Sequence, residues 1–486
     1  MNSKTNLSLL VGLTLTTIAF GKGIPNNAAA DLVLGQANFT SAIVPTSSNT
    51  PSSMNHPAAI TIDPVTRKVF VADSTNHRIL RYRSADTLAS GAAAEVVFGQ
   101  TDFLSSASLN PPTDASLKTP TGLFLDRDGR LWVADSGNNR VLRFSAASSA
   151  DTNPRADRVF GQRDFNSGLP GAVQPLTPFP SFITGMNFPI GLWVDSSDHL
   201  WVADNNNHRV LRFDRASGRA NGGFADGILG QNNTLTVARG TGPTGLQDPH
   251  GVAVSANGTL FVACTGGNRV MRFDNAASLV DGAAATGVLG QSDLSATSAG
   301  TSATQMSLPF GLSLSADDSL WVTEGDSNRV IRFNNASTKP NGAAADGFVG
   351  QTSFTTFAPA LTAKGLKTPA YNPFVDATGS LWVPDFANHR VLRFPVDATV
   401  PTLAVTGKVP KSTKKPSIIL KGTAADANGI SLVQFRIGTG PLRVATGTTG
   451  WTLKANLRKG NNTLSVIATD SVGNVSAKKL IKIKRN

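Results

Sequence analysis

The 486 residues carry 44 Lys and Arg against 32 Asp and Glu, a formal net charge of +12, with 46 Gly, 27 Pro and a single Cys. That length allows two or three domains, the Gly and Pro content favours short strands and turns over long helices, and the lone Cys264 excludes an intrachain disulfide or a Cys-built metal cluster. The charge is uneven: residues 400–486 hold 15 basic and 2 acidic side chains, leaving 29 and 30 for the rest, so the basicity belongs to the C-terminal stretch.

Residues 1–21 are expected to be an export signal. Lys4 sits in a short polar start, "LSLLVGLTLTTIAF" (7–20) is an apolar run, and Ala19-Phe20-Gly21 places small residues at a cleavage spacing. No later stretch approaches the roughly 20 apolar residues of a spanning helix. The mature chain is therefore expected outside the cytoplasm: secreted, periplasmic or at the cell surface.

From Pro57 onward the chain repeats itself. "VFVADSTNHRILRY" begins at Val69, "LWVADSGNNRVLRF" at Leu131 and "LWVADNNNHRVLRF" at Leu200. "LFVACTGGNRVMRF" follows at Leu260, "LWVTEGDSNRVIRF" at Leu320 and "LWVPDFANHRVLRF" at Leu381. Their arginines, Arg78, Arg140, Arg209, Arg269, Arg329 and Arg390, are separated by 62, 69, 60, 60 and 61 residues. Within each period a proline opens an apolar strand ("TPTGLFLD", "FPIGLWVD", "DPHGVAVS"), and a Gly/Asp turn leads to the "LWVAD" strand. A polar hairpin, "RVLRF", a link and "VFGQ" complete it. Four short strands per period predict an all-β chain whose sheets repeat radially as a six-bladed β-propeller over residues 30–395. The "GQ" strands end at Gln36, Gln100, Gln162, Gln231, Gln291 and Gln351; one precedes the first full period and none follows Phe394. The N-terminal strand at 31–36 is thus expected to close the last blade, built from residues 369–394, and remove its open edge.

Strings such as "VADSTNHRILRY" and "VADNNNHRVLRF" resemble NHL repeats, with Asn-His-Arg or Asn-Asn-Arg where the family has Asn-His-Leu. "GQTDF" at Gly99 and "GQRDF" at Gly161 are similar to elements of exported bacterial NHL-repeat proteins.

The repeated acid and arginine (Asp73/Arg78, Asp135/Arg140, Asp204/Arg209, Asp385/Arg390) border one hairpin each. The Asp is expected to hold turn N–H groups, and the Arg to bridge that carboxylate or nearby carbonyls. A pair needed in every blade reads as structural, and His77, His208 and His389 in the same turns share that reading. Cys264 and Glu324 replace the Asp opposite Arg269 and Arg329.

Ligand sites of a propeller gather where the outer-to-inner links meet the shaft. Residues flanking the inner prolines are expected to ring its mouth: His56, Lys118, Thr119, Asp248, His250, Phe310, Lys367 and Tyr371. The longest link, 163–188, adds Phe and Pro clusters. No cofactor is expected; the alternative is Zn or Ca held by His56, Asp248 and His250, as imidazole and carboxylate suit such ions. "DPHGVAV" loosely resembles the histidine position of amidating lyases with NHL-like blades.

After "PVDATVPT", residues 400–486 alternate in strand fashion. "GTAADANGI" and "TDSVGN" resemble hairpins of bacterial Ig-like modules, which implies a basic β-sandwich. Its charge suits an anionic envelope polymer; nucleic acid is disfavoured, since Phe435 and Trp451 are its only aromatic residues. The expected function is an exported scaffold that binds a protein, peptide or glycan, with the basic module for envelope attachment. The alternative is a metal-dependent lyase or lactone hydrolase at the shaft mouth.

Overall fold

Apolar residues alternating between Pro-led starts and Gly-Asp turns become strands in the order the periods suggest. The computed structural model describes residues 23–44, 49–171, 173–175, 182–233, 235–369 and 371–486; the expected export signal at 1–21 lies outside them. Contacts divide the chain into two units, Ile24–Val396 and one containing Asp397–Asn486.

The first unit holds six four-stranded antiparallel sheets, arranged as in a propeller. The second sheet is typical: Pro120–Leu125, Leu131–Asp135, Arg140–Phe144 and Arg158–Phe160, in that spatial order. Its neighbours begin at Pro57, Pro189, Pro249 and Pro309. The sixth combines Phe374–Val375, Leu381–Asp385 and Arg390–Phe394 with Leu32–Leu34 from the N-terminal side. Leu32 pairs with Arg393, Val33 with Leu392 and Leu34 with Val391, the pairing that the strand count demanded. The Asp31 carboxylate fastens it by two bonds from Arg393, at 2.8 and 2.9 Å.

Each inner strand packs on the inner strand of the next sheet, and a parallel bridge from Asn372 to Ala59 joins the sixth to the first. The approach is close. A Cβ at Gly191 would lie 2.3 Å from the His250 carbonyl, so only glycine fits there. Between the sheets lie apolar layers such as Phe98 on Phe144 and Phe160 on Phe213, with ring centroids 5.5 and 5.3 Å apart. The second arginine of "RVLRF" lies over the tryptophan of "LWV": Arg143 over Trp132, Arg393 over Trp382. The sixth inner strand departs from the pattern. Pro369 and Asp376 are seven residues apart where Pro57 and Asp63 are six, and regular pairing shrinks to Phe374–Val375.

The second unit packs a three-stranded sheet (Thr402–Thr406, Ser417–Ala425, Gly450–Asn456) on a five-stranded one. The larger sheet runs Ser412–Thr413, Lys479–Arg485, Gly460–Asp470, Ile430–Ile437, Arg443–Val444. Leu420, Trp451 and Leu453 meet Phe435, Leu464, Val466, Ile481 and Ile483 between them, as period-two alternation requires. No helix among the described residues is long and apolar enough to cross a membrane.

Candidate functional site

The hairpin that recurs in the first unit is a clamp. In the first, second, third and sixth sheets the arginine Nε lies 2.7 Å from the aspartate Oδ2, with both side chains fully buried. Arg329 pairs with Glu324 in the same way. The Nη2 nitrogen reaches into the link before the sheet: Arg78 donates to the carbonyls of Thr50 and Ser53, Arg140 to Thr113 and Ser116, Arg390 to Thr362 and Gly365, at 2.9–3.2 Å. Nη1 donates to a carbonyl of the link after the outer strand, that of Phe103, Phe165 or Phe39. Arg209 donates to the Gly185 carbonyl at 2.9 Å. The acid's other oxygen accepts a link N–H, from Asn55, Lys118, Asn187 or Lys367 at 2.6–2.7 Å. This corrects the expected turn bonds: the carboxylate holds the incoming link, and from its own hairpin takes the Asn side chain, as Asn138 shows at 2.9 Å.

The fourth sheet lacks the carboxylate. Cys264 is fully buried, and burial pushes its thiol up to about 11 although Arg269 is near. It is therefore a protonated packing group at neutral pH. The Nε of Arg269 is left buried without a partner.

A second device joins neighbouring sheets. The hairpin ends on a left-handed residue, His77, Asn139, His208, Asn268, Asn328 or His389, with φ from 48° to 55°; Asn and His tolerate that region. Each side chain accepts the backbone N–H of the residue before the next sheet's proline. His77 Nδ1 takes Thr119, Asn139 Oδ1 takes Phe188, Asn268 Oδ1 takes Leu308 and Asn328 Oδ1 takes Thr368, at 2.8–3.0 Å. His208 takes Asp248 at 3.4 Å, and His389 closes the circuit on His56 at 3.2 Å. The hooked residues all have positive φ, 46° to 56°. Leu308 and Phe188 adopt it only because the hook and the proline hold them there.

These hooks fix where the expected mouth residues stand. His56 touches Phe386 (4.5 Å between centroids) and His389 (4.4 Å). Phe386 meets Tyr371 at 5.9 Å, Tyr371 meets Phe310 at 5.4 Å and His250 at 5.6 Å, and His250 stacks on Phe310 at 5.2 Å. The structure thus brings His56, His250, Phe310 and Tyr371 into one arc of rings from the first, fourth, fifth and sixth sheets. Phe386 and His389 complete it. Sequence reading marked neither as a site residue; the aromatic residue in "DFANHR", where the other hairpins carry Ser, Asn, Thr or Gly, was the available signal for Phe386. Thr119 joins the circuit only through its hooked backbone. Lys118 and Lys367 have exposed side chains, and their backbone N–H groups are clamped by Asp135 and Asp385. Below the mouth, the Asn372 side chain donates to the Leu123 carbonyl at 2.9 Å, spanning from the sixth sheet to the second. The link at 163–188 contributes a strand pair, Val173–Pro175 with Phe182–Thr184; its residues 172 and 176–181 lie outside the described ones.

Burial lowers His56, against a smaller pull from Asp73. It lowers His389 to about 4, with help from His56 and Lys367, and His250 to about 3. All three rings are neutral at pH 7. The Nδ1 of His250 is buried with no partner.

The trio His56, Asp248 and His250 does not come together as a metal site. Asp248 is paired with Arg239 and with His208 at 3.2 Å, and two aromatic rings separate His56 from His250. The physical reason is the hook, which ties the residue before each proline to the previous sheet. Among the described residues the carboxylates that converge are elsewhere. Asp397, Asp426 and Asp470 of the second unit bring ligand oxygens within 4.8 Å of one another. Asn428 donates to Asp397, and Asn474 to Asp470, both at 2.8 Å. Burial raises Asp397, but bonds from Thr399 and Asn428 outweigh it and hold its carboxyl below the usual range. An all-oxygen set of this kind suits Ca²⁺ better than Zn²⁺. The three carboxylates come from positions far apart in the sequence.

The model of the NHL repeat matches residues 186–213 and 246–273, and that of the SMP-30/Gluconolactonase/LRE-like region matches residues 36–156. The chain therefore carries NHL repeats and an SMP-30/gluconolactonase-like region. Protein SUPPRESSOR OF QUENCHING 1, chloroplastic, of Arabidopsis thaliana is 22% identical over 237 residues, 46% of this chain and 19% of that protein; the match spans about a fifth of the relative's length. Among solved structures, virginiamycin B lyase from Staphylococcus aureus aligns over 71% of this chain and 96% of its own, at 13% identity and a TM-score of 0.39. The calcium-binding protein regucalcin from Agrobacterium tumefaciens aligns over 72% and 94%, at 15% identity and a TM-score of 0.39.

Proposed function

We propose that the first unit is a six-bladed NHL propeller, closed by its N-terminal strand, that works outside the cytoplasm as a binding scaffold for a glycan, peptide or protein partner. The second unit, in this reading, is a basic Ig-like module that attaches the propeller to the cell envelope. The observation that carries the first part is the arc of His56, Phe386, Tyr371, Phe310 and His250, together with the exposed side chains of Lys118 and Lys367 on the links into the second and sixth sheets. Ring faces with polar tips supply contact area at low entropic cost, and the cations orient a polar ligand. The test is capture of partners from envelope fractions by the full chain and by Tyr371→Ala and Phe386→Ala. Loss of capture by about tenfold or more is expected, the scale of one truncated anchor; unchanged capture by both variants refutes the mouth as the binding surface.

A second reading, lyase or lactone-hydrolase chemistry at the same mouth, is favoured by the unpartnered Nδ1 of His250 and by the SMP-30/gluconolactonase-like match. His56, Asp248 and His250 do not gather, so this chemistry would not use a metal held by those three. Turnover of simple lactones that disappears in His250→Phe supports it; absence of turnover by the unmodified chain removes it.

A further inference from the structure

Lys482 and Lys484 stand on the outer face of the five-stranded sheet because Ile481 and Ile483 fill the core at 6% and 2% exposure. Arg436 lies on the same face, two strands away. Between and beside these cations are neutral hydrogen-bonding side chains, in register: Asn461 opposite Lys484, Thr463 opposite Lys482, Ser465 opposite Arg436. Residues two apart on a strand are ~6.7 Å apart, so the lysines form a spaced row and not a cluster.

Nothing among the unit's described residues neutralises them. Among the described residues, the salt bridges all lie at or before Arg393. The unit's side-chain carboxylates, Asp397, Asp426 and Asp470, are gathered with one another instead.

We propose that this face binds a linear acidic polysaccharide, with Arg436, Lys482 and Lys484 meeting its carboxylates and Asn461, Thr463 and Ser465 its hydroxyls. The inference rests on the reading of this unit as an attachment module and names what it attaches to. Charge complementarity calls for a polyanion. The absence of stacking surface selects against single-stranded nucleic acid, since Phe435 and Trp451 are buried at 4% and 1%. Residues 400–486 carry 11 Lys and 4 Arg, point charges more than the planar forks that favour phosphate.

The experiment measures retention of the full chain on immobilised polygalacturonate, with duplex DNA and neutral dextran as comparisons, across a salt series. Two charge-matched triple variants are used: Arg436→Glu/Lys482→Glu/Lys484→Glu on the proposed face, and Lys408→Glu/Lys421→Glu/Lys454→Glu on the side of the three-stranded sheet. The first is expected to lose affinity at least about tenfold at low salt with a shallower salt slope, and the second to stay within about threefold. Because Arg436 is half-buried, Lys482→Gln/Lys484→Gln is the companion variant, expected to weaken binding in the same direction. Equal loss in both triples overturns the proposal in favour of net charge alone. DNA held as tightly as the glycan overturns the choice of ligand, as does no retention of the unmodified chain on polygalacturonate. Envelope capture that survives in the first triple leaves the attachment reading standing and sinks only this one.

Discussion

The two units use their cations in opposite ways. In the repeat unit Arg78, Arg140 and Arg390 are fully buried, each tied to one carboxylate and to link carbonyls. In the C-terminal unit Lys421, Lys454, Lys482 and Lys484 are all exposed. A buried guanidinium is costly unless every donor is met, so it specifies one loop path. A solvated ammonium specifies nothing internally and stays available to an outside anion.

Arg140→Ala tests the first half most severely. It leaves Asp135 buried without its counter-charge and frees three link carbonyls, those of Thr113, Ser116 and Phe165, so a loss of about 3–5 kcal/mol in denaturant unfolding is expected. Gly191→Ala comes next: its methyl would press on the His250 carbonyl, with an expected loss of about 1–3 kcal/mol. Cys264→Asp sharpens the contrast from the other side. It offers Arg269 Nε the missing partner, and a gain of about 1 kcal/mol is expected in the same measurement.

His389→Asn should change the shape of the pH profile more than its height. Folding holds His389 down to about 4 against an ordinary 6.5. Between those values the unfolded chain takes up a proton that the folded one refuses, so stability falls as pH drops through that window. Asparagine keeps the hook, as Asn328 does at 2.8 Å, and cannot titrate. Melting temperatures from pH 7 to 4 should decline less steeply in the variant; an unchanged slope removes His389 from the account. Lys482→Ala closes the series, with a stability change within about 0.5 kcal/mol.

Much of the repeat architecture was legible because it is written locally: a proline, a glycine turn and alternating apolar residues recur with the strands they produce. The partner of Leu32–Leu34 could be found by counting strands. The acceptors of Arg78 and the hook from His77 to Thr119 could not, since backbone groups of distant links carry no sequence signature. The short sixth inner strand turned on one inserted residue between Pro369 and Asp376. Which rings would touch depended on Phe386, in a turn read as structural. Asp397, Asp426 and Asp470 meet only when three separate loops of the second unit fold together.

The pairing of Leu34 with Val391 has a consequence for biosynthesis. The strand Leu32–Leu34 must wait until more than 350 later residues have been translated before it finds its mate, and closing so long a loop is slow relative to forming a hairpin. Until then Arg390–Phe394 offers a bare edge to any stray chain nearby. Joining the two ends is therefore the step at which a nascent molecule stops being adhesive, and clipping the first dozen described residues should return it to that sticky condition.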